Sequence, residues 1–112
     1  KDQAHRTEGA ESTALLDQSV AAYRAALQVF TREDHPVDWA MTQDNLALAF
    51  LQMSTTSLTA HDDLTKALTH VENALEVFDP EDMPYEYGTA TRIRDDILAA
   101  SKDLPPASDT KS

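Results

Sequence analysis

The 112-residue sequence contains no cysteine, which excludes disulfides, thiolate catalysis and sulfur ligation of metals. With only two glycines it holds no glycine-rich loop of the kind that cradles phosphates. Basic residues are scarce: nine Lys and Arg against twenty Asp and Glu give a net charge of −11. Phosphate backbones and anionic membrane surfaces repel such a chain, and no basic stripe with interleaved aromatics offsets the repulsion. Neither nucleic acid nor membrane is an expected partner; complementary charge favours a neutral or basic one. No apolar run approaches the roughly 18–20 residues that cross a bilayer, and no signal-peptide pattern opens the chain. The cytoplasm is the expected compartment, with Lys1 in place of Met pointing to a fragment or processed chain.

What the sequence does contain is helical period. A hydrophobic content of 41% on this length suits one domain with a modest core rather than disorder. From about Ser12, Leu15, Leu16, Ser19, Val20, Tyr23, Ala26, Leu27 and Phe30 step by three and four and share one face. Ser19, Ala22 and Ala26 are small enough to admit a neighbouring helix closely. Pro36 disfavours helix at His35, so this helix is expected to end near Arg32. A second helix is expected from about Val37 to Met53, with Leu46, Ala47, Phe50 and Met53 or Ser54 inward and Trp39 packed at its junction with the first. A hydroxyl-rich run from Ser54 to His61 follows, where Thr59 and Asp62 resemble a capping box. The third helix, from about Ala60 or Asp62 to Phe78, turns Leu64, Ala67, Leu68, Val71, Ala74, Leu75 and Phe78 inward. Pro80 and Pro84 make a stiff turn, and a fourth helix from about Tyr85 to Ala100 buries Tyr87, Ala90, Ile93, Ile97 and Leu98. The expected organisation is a leader or end of a preceding helix over 1–11, a helical domain over 12–101 and a flexible tail over 102–112.

The helices are related to one another. Ala26-Leu27 returns as Ala74-Leu75, Val29-Phe30 as Val77-Phe78, Pro36 as Pro84 and Trp39 as Tyr87, always at one offset (74 − 26 = 84 − 36 = 87 − 39 = 48). A fixed offset carried by small, aromatic and proline positions is the signature of a helical repeat. By that offset Arg94 and Asp95 stand where Leu46 and Ala47 stand, the polar substitution a terminal repeat needs on its outer face.

Two groups of side chains offer themselves for chemistry. Asp34, His35 and Asp38 place two carboxylates and an imidazole within five residues, a set that can ligate zinc or manganese. A solvated helix–helix loop, with Asp38 near a helix N-terminus, accounts for them more simply. His61, Asp62, Asp63 and His70 form the second group, but Asp62 and His70 lie two turns apart, roughly 12 Å along the axis, too far for one ion. No nucleophile–base–orienter set accompanies either group, so neither an enzyme nor a cofactor or metal is expected.

The pattern A-x-x-x-[YV]-x-x-A-L-x-V-F, then proline, then [WY]-[AG], then N-L-A-x-x-F, resembles tetratricopeptide repeats, in the lengthened bacterial and kinesin-light-chain-like form. Tyr23, Ala26, Leu27, Pro36, Trp39, Ala40, Thr42, Asn45, Leu46, Ala47 and Phe50 carry it, followed by Ala67, Val71, Ala74, Leu75 and Pro84. Two departures stand out: the spacing from Phe50 to Ala67 exceeds that of the common 34-residue repeat, and the last helix lacks the N-L-A signature. The resemblance implies an all-α fold of about four helices in two repeats, stacked as a short right-handed α-solenoid. It also implies a protein-interaction scaffold whose concave groove holds a peptide or partner helix. The implied groove residues are Met41, Asp44, Asn45, Leu48 and Gln52 of the second helix and Arg92 and Asp96 of the fourth. Asn45 would hydrogen-bond a ligand backbone, since a side-chain amide both donates and accepts. Two repeats fall short of the three that stable solenoids want. A C-terminal piece of a longer repeat protein, or a self-associating assembly module, is the alternative; a metal-dependent enzyme built on His35 with Asp34 and Asp38 is a remote one.

Overall fold

The structure, a computed structural model, describes the backbone of residues 2–55 and 60–103 and the side chains of 14–55 and 60–103. Four helices account for nearly all of it: α1 (Asp2–Val29), α2 (Pro36–Met53), α3 (Ala60–Leu75) and α4 (Pro84–Asp103), with no strand among the described residues.

Proline sets two of the helix starts. Pro36 and Pro84 each occupy the first helical position, where the missing N–H costs nothing and the fixed φ is already helical. His35 before Pro36 is held out of the helical region, at φ −138°, so α1 and α2 are separated there as expected. The third helix stops at Leu75, before Phe78. Its last turn tightens, with Val77 N donating to Ala74 O at 3.0 Å and Glu76 N shared between the Glu72 and Asn73 carbonyls.

The two loops are built alike. Phe30 N donates to Ala26 O and, 48 residues on (78 − 30 = 48), Phe78 N donates to Ala74 O. His35 N to Thr31 O is matched by Met83 N to Asp79 O, and Trp39 N to His35 O by Tyr87 N to Met83 O. Even the side-chain cap recurs. Thr31 Oγ1 accepts from Asp34 N at 3.2 Å, and Asp79 Oδ2, at the equivalent position, accepts from Asp82 N at 2.8 Å and Glu81 N at 3.0 Å. The repeat in the sequence is thus a repeat of backbone hydrogen bonds.

Packing centres on α2, which touches all three other helices and packs most extensively on α3. Ala40, Leu46, Ala47, Ala67, Val71 and Ala74 have no exposed surface, and Phe50, Leu64, Phe78, Ala90, Ile93 and Ile97 have almost none. The alanines matter here because small side chains let the helix backbones approach. Trp39 is half-buried against this core, with the Arg32 guanidinium over its ring at 5.4 Å, so it packs where α1 meets α2. Arg32 also reaches Glu76 at 2.8 Å and ties the two loops together, a surface pair of modest worth.

Several expectations are corrected. Leu15 is 60% exposed, Leu98 is 44% exposed and Ala22 is exposed, although all were assigned to inner faces. Leu98 stands at the position of Phe50 in the repeat; Phe50 is covered because α3 follows α2, whereas no described helix follows α4. Arg94 and Asp95 lie on that same uncovered flank, the first half-buried and the second exposed. Leu27 is only half-buried, because α1 packs chiefly against α2. The first helix reaches back to Asp2 instead of Ser12, and the fourth runs on to Asp103. Thr59 of the expected capping box and residues 104–112 of the expected tail lie outside the described residues. No described helix is long and apolar enough to cross a membrane.

Candidate functional site

On α2, Met41, Asp44, Asn45 and Leu48 follow one another at steps of three, one and three, which puts them on one face. Across from them α4 presents Tyr85, Glu86, Thr89 and Ile93. With Phe78 from the end of the α3 loop, these residues line a depression of about 190 Å³. A second depression of about 130 Å³ lies on the other side of α2, between Leu16, Ser19 and Tyr23 of α1 and Asn45, Leu48, Ala49 and Gln52 of α2. Asn45 and Leu48 belong to both, so the two hollows meet along them.

Exposed apolar surface gathers here. Met41, Leu48 and Tyr85 are 50%, 39% and 81% exposed, three of the seven large apolar side chains left in solvent among the described residues. Single exposed apolar residues are ordinary, whereas a cluster of them around a hollow is less so.

Beneath them lies Asp44, only 9% exposed, with Oδ1 buried and without any hydrogen-bond partner. Burial pushes its carboxyl from the ordinary 3.8 up to about 7, because desolvation penalises the charged form. Its chain neighbour Gln43 shows the contrasting case. Gln43 faces α3, where its Oε1 accepts from His70 Nδ1 at 2.7 Å and from Asn73 Nδ2 at 3.4 Å. The His70 ring stacks on Phe50, with centroids 5.7 Å apart, and Lys66 and Arg24 lie over the Phe50 ring at 5.6 and 5.8 Å. Burial first, then Arg24 and Lys66, hold the His70 imidazole below its ordinary 6.5. Gln43 and His70 thus satisfy each other inside the α2–α3 contact.

Five of the seven residues assigned to the groove from the sequence, Met41, Asp44, Asn45, Leu48 and Gln52, line these two hollows. Arg92 and Asp96 are exposed on α4 and line neither. They are the 48-residue counterparts of Asp44 and Leu48. The counterparts of Met41 and Asn45, which are Thr89 and Ile93, do line the larger hollow. Two neighbouring helices face each other across opposite flanks, so only some of one helix's groove positions have groove counterparts on the next. The signal for Thr89 and Ile93 was in the repeat; the choice of flank was not. Tyr85 and Glu86 carried no signal of their own, while Phe78 and Leu16, Ser19 and Tyr23 of α1 carried a signal for packing alone.

The residues considered for metal are dispersed. The His35 ring meets Phe30 edge-on at 5.6 Å, Asp62 pairs with Lys66 at 3.2 Å, and His70 is held by Gln43. Among the described residues no three His, Asp or Glu side chains gather as a metal site. Compared with protein-family models, curated proteins and solved structures, the chain matches none. The structure therefore defines an all-α protein with a bordered apolar hollow over a buried acid.

Proposed function

We propose that this chain is a protein-interaction module of tetratricopeptide-repeat type, a short solenoid that holds an extended peptide or a partner helix along the exposed face of α2 and α4. The observation that carries the reading is Asn45 standing exposed where two apolar-edged hollows meet. An amide there can donate to and accept from a peptide unit while side chains on either side enter the hollows. The recurrence of backbone and cap hydrogen bonds at one spacing supports a repeat architecture. A hollow of about 190 Å³ suits one side chain, being smaller than the ~300–1,000 Å³ typical of small-molecule sites. The role assigned is binding without chemistry.

The test is selection of displayed random peptides on the wild-type chain, counter-screened against Asn45→Arg. Because Asn45 is exposed, the variant keeps its helix content by circular dichroism while its long cation blocks the junction; selected peptides lose binding. Peptides that bind both forms equally would place the interaction elsewhere. A second reading, self-association, is favoured by exposed Leu15 and Val29 on α1. Sedimentation reads it directly: a chain that is oligomeric at low concentration and selects no peptide is an assembly module instead.

A further inference from the structure

We propose that the hollow between α2 and α4 takes a cationic side chain, lysine or arginine, of a partner peptide, with its charged end against the Asp44 carboxylate. The inference rests on reading this face as a peptide groove, and names the chemistry of what the groove holds. A buried carboxyl oxygen with no donor, on a residue nine-tenths withdrawn from water, is an unmet demand, costly to the fold as it stands. The hollow is otherwise lined by Met41, Asn45 and Leu48 of α2, Phe78, and Tyr85, Glu86, Thr89 and Ile93 of α4. None is a cation, so no lining group of the chain neutralises Asp44. Asp63 Oδ2 is also buried without a partner, but it lines neither of these two hollows.

The walls fit the same occupant. A lysine or arginine buries its methylene stem along apolar surface while the charged end reaches an acid. Met41, Leu48 and Ile93 supply that surface, Glu86 supplies a second carboxylate, and the exposed ring of Tyr85 can receive a cation on its face. A net charge of −11 draws a basic segment in and repels an acidic one. Binding also couples to protons. Near neutral pH about half of the free chains carry a proton on this carboxyl, and an ammonium favours the charged form, so binding releases proton and tightens as pH rises through about 7. The other titratable groups lining the hollow are Glu86 and Tyr85 of α4.

The experiment uses n-butylammonium as a lysine side-chain probe, followed by NMR of the isotope-labelled chain, with n-butanol and butyrate as neutral and anionic counterparts. The expected result is saturable shifts at Asp44, Asn45, Leu48 and Thr89 with butylammonium, none with butyrate, and far weaker ones with butanol. Asp44→Asn, which keeps the shape of the side chain, weakens the probe at least about tenfold, and Glu86→Gln weakens it less. The inference is overturned if butylammonium does no more than sodium chloride, if butanol binds as well, or if Asp44→Asn leaves binding unchanged. The peptide selection separates this failure from failure of the groove. Peptides lost on Asn45→Arg but indifferent to Asp44→Asn, without lysine or arginine enrichment, leave the groove standing and sink the cation site. Basic peptides lost on Asp44→Asn but retained by Asn45→Arg support the cation site and sink the groove.

Discussion

Asp44 shows how much one residue can load onto a small fold. Its folded carboxyl titrates near 7 against an ordinary 3.8, so between those values the folded chain holds more proton than the unfolded one. Stability contributed by the protonated form is therefore lost as pH rises through that window, and the full cost is present above it. His70 works in the opposite sense. Held below 6.5, it resists the proton that the unfolded chain accepts, so it takes stability away as pH falls below 6.5. In the wild type the two slopes oppose each other. Asp44→Asn removes the first: it raises the melting temperature at about pH 8, by a gain on the order of 1–3 kcal/mol, and by only about a third of that at about pH 5, where the window has just opened. Thermal melts at the two pH values check this, and an equal shift at both would mean that the Asp44 carboxyl titrates in its ordinary range.

At the scale of elements, the loops between helices are the parts most nearly duplicated, and their caps differ in strength. Asp79 offers one carboxylate oxygen to two backbone N–H groups, whereas Thr31 offers its hydroxyl to one, at a longer distance. A carboxylate also makes the stronger, charge-assisted bond. Asp79→Ala is expected to cost about 0.5–2 kcal/mol and Thr31→Ala less, as loss of a capping side chain usually does. Urea unfolding of both variants measures the pair, and a larger loss at Thr31 would show that the second loop is held by its prolines instead. The same duplication explains the alternating fates of equivalent side chains: Phe50 is buried under a following helix, and Leu98 is not.

For the whole molecule, the governing quantity is a charge of −11 on 112 residues. Like charges crowd together on folding, so the compact state repels itself, and salt relieves that repulsion. Raising ionic strength from about 0.01 M to about 1 M shortens the screening length from about 30 to about 3 Å. Over that range the chain is expected to gain stability while a selected basic peptide associates more slowly. Stopped-flow association and urea titration across the series read both. An association rate indifferent to salt would deny any electrostatic steering by the acidic surface.

The sequence by itself determined the helices and their repetition, because those depend on near neighbours in the chain. Proline before a helical run, apolar steps of three and four, and the matched Ala26-Leu27 and Ala74-Leu75 pairs need no distant partner to be read. The resemblance to repeat helices also singled out Met41, Asp44, Asn45, Leu48 and Gln52 on one stretch of α2, whose relative directions follow from their places within one helix. Only the tertiary structure decided what that stretch faces. The rotation of α4 about its own axis is set by packing Ala90, Ile93 and Ile97 into the core. That rotation turns Thr89 and Ile93 toward α2 while leaving Arg92 and Asp96 in solvent. Whether an acid such as Asp44 meets water, a partner or nothing depends on three helices converging, and no local pattern encodes their meeting.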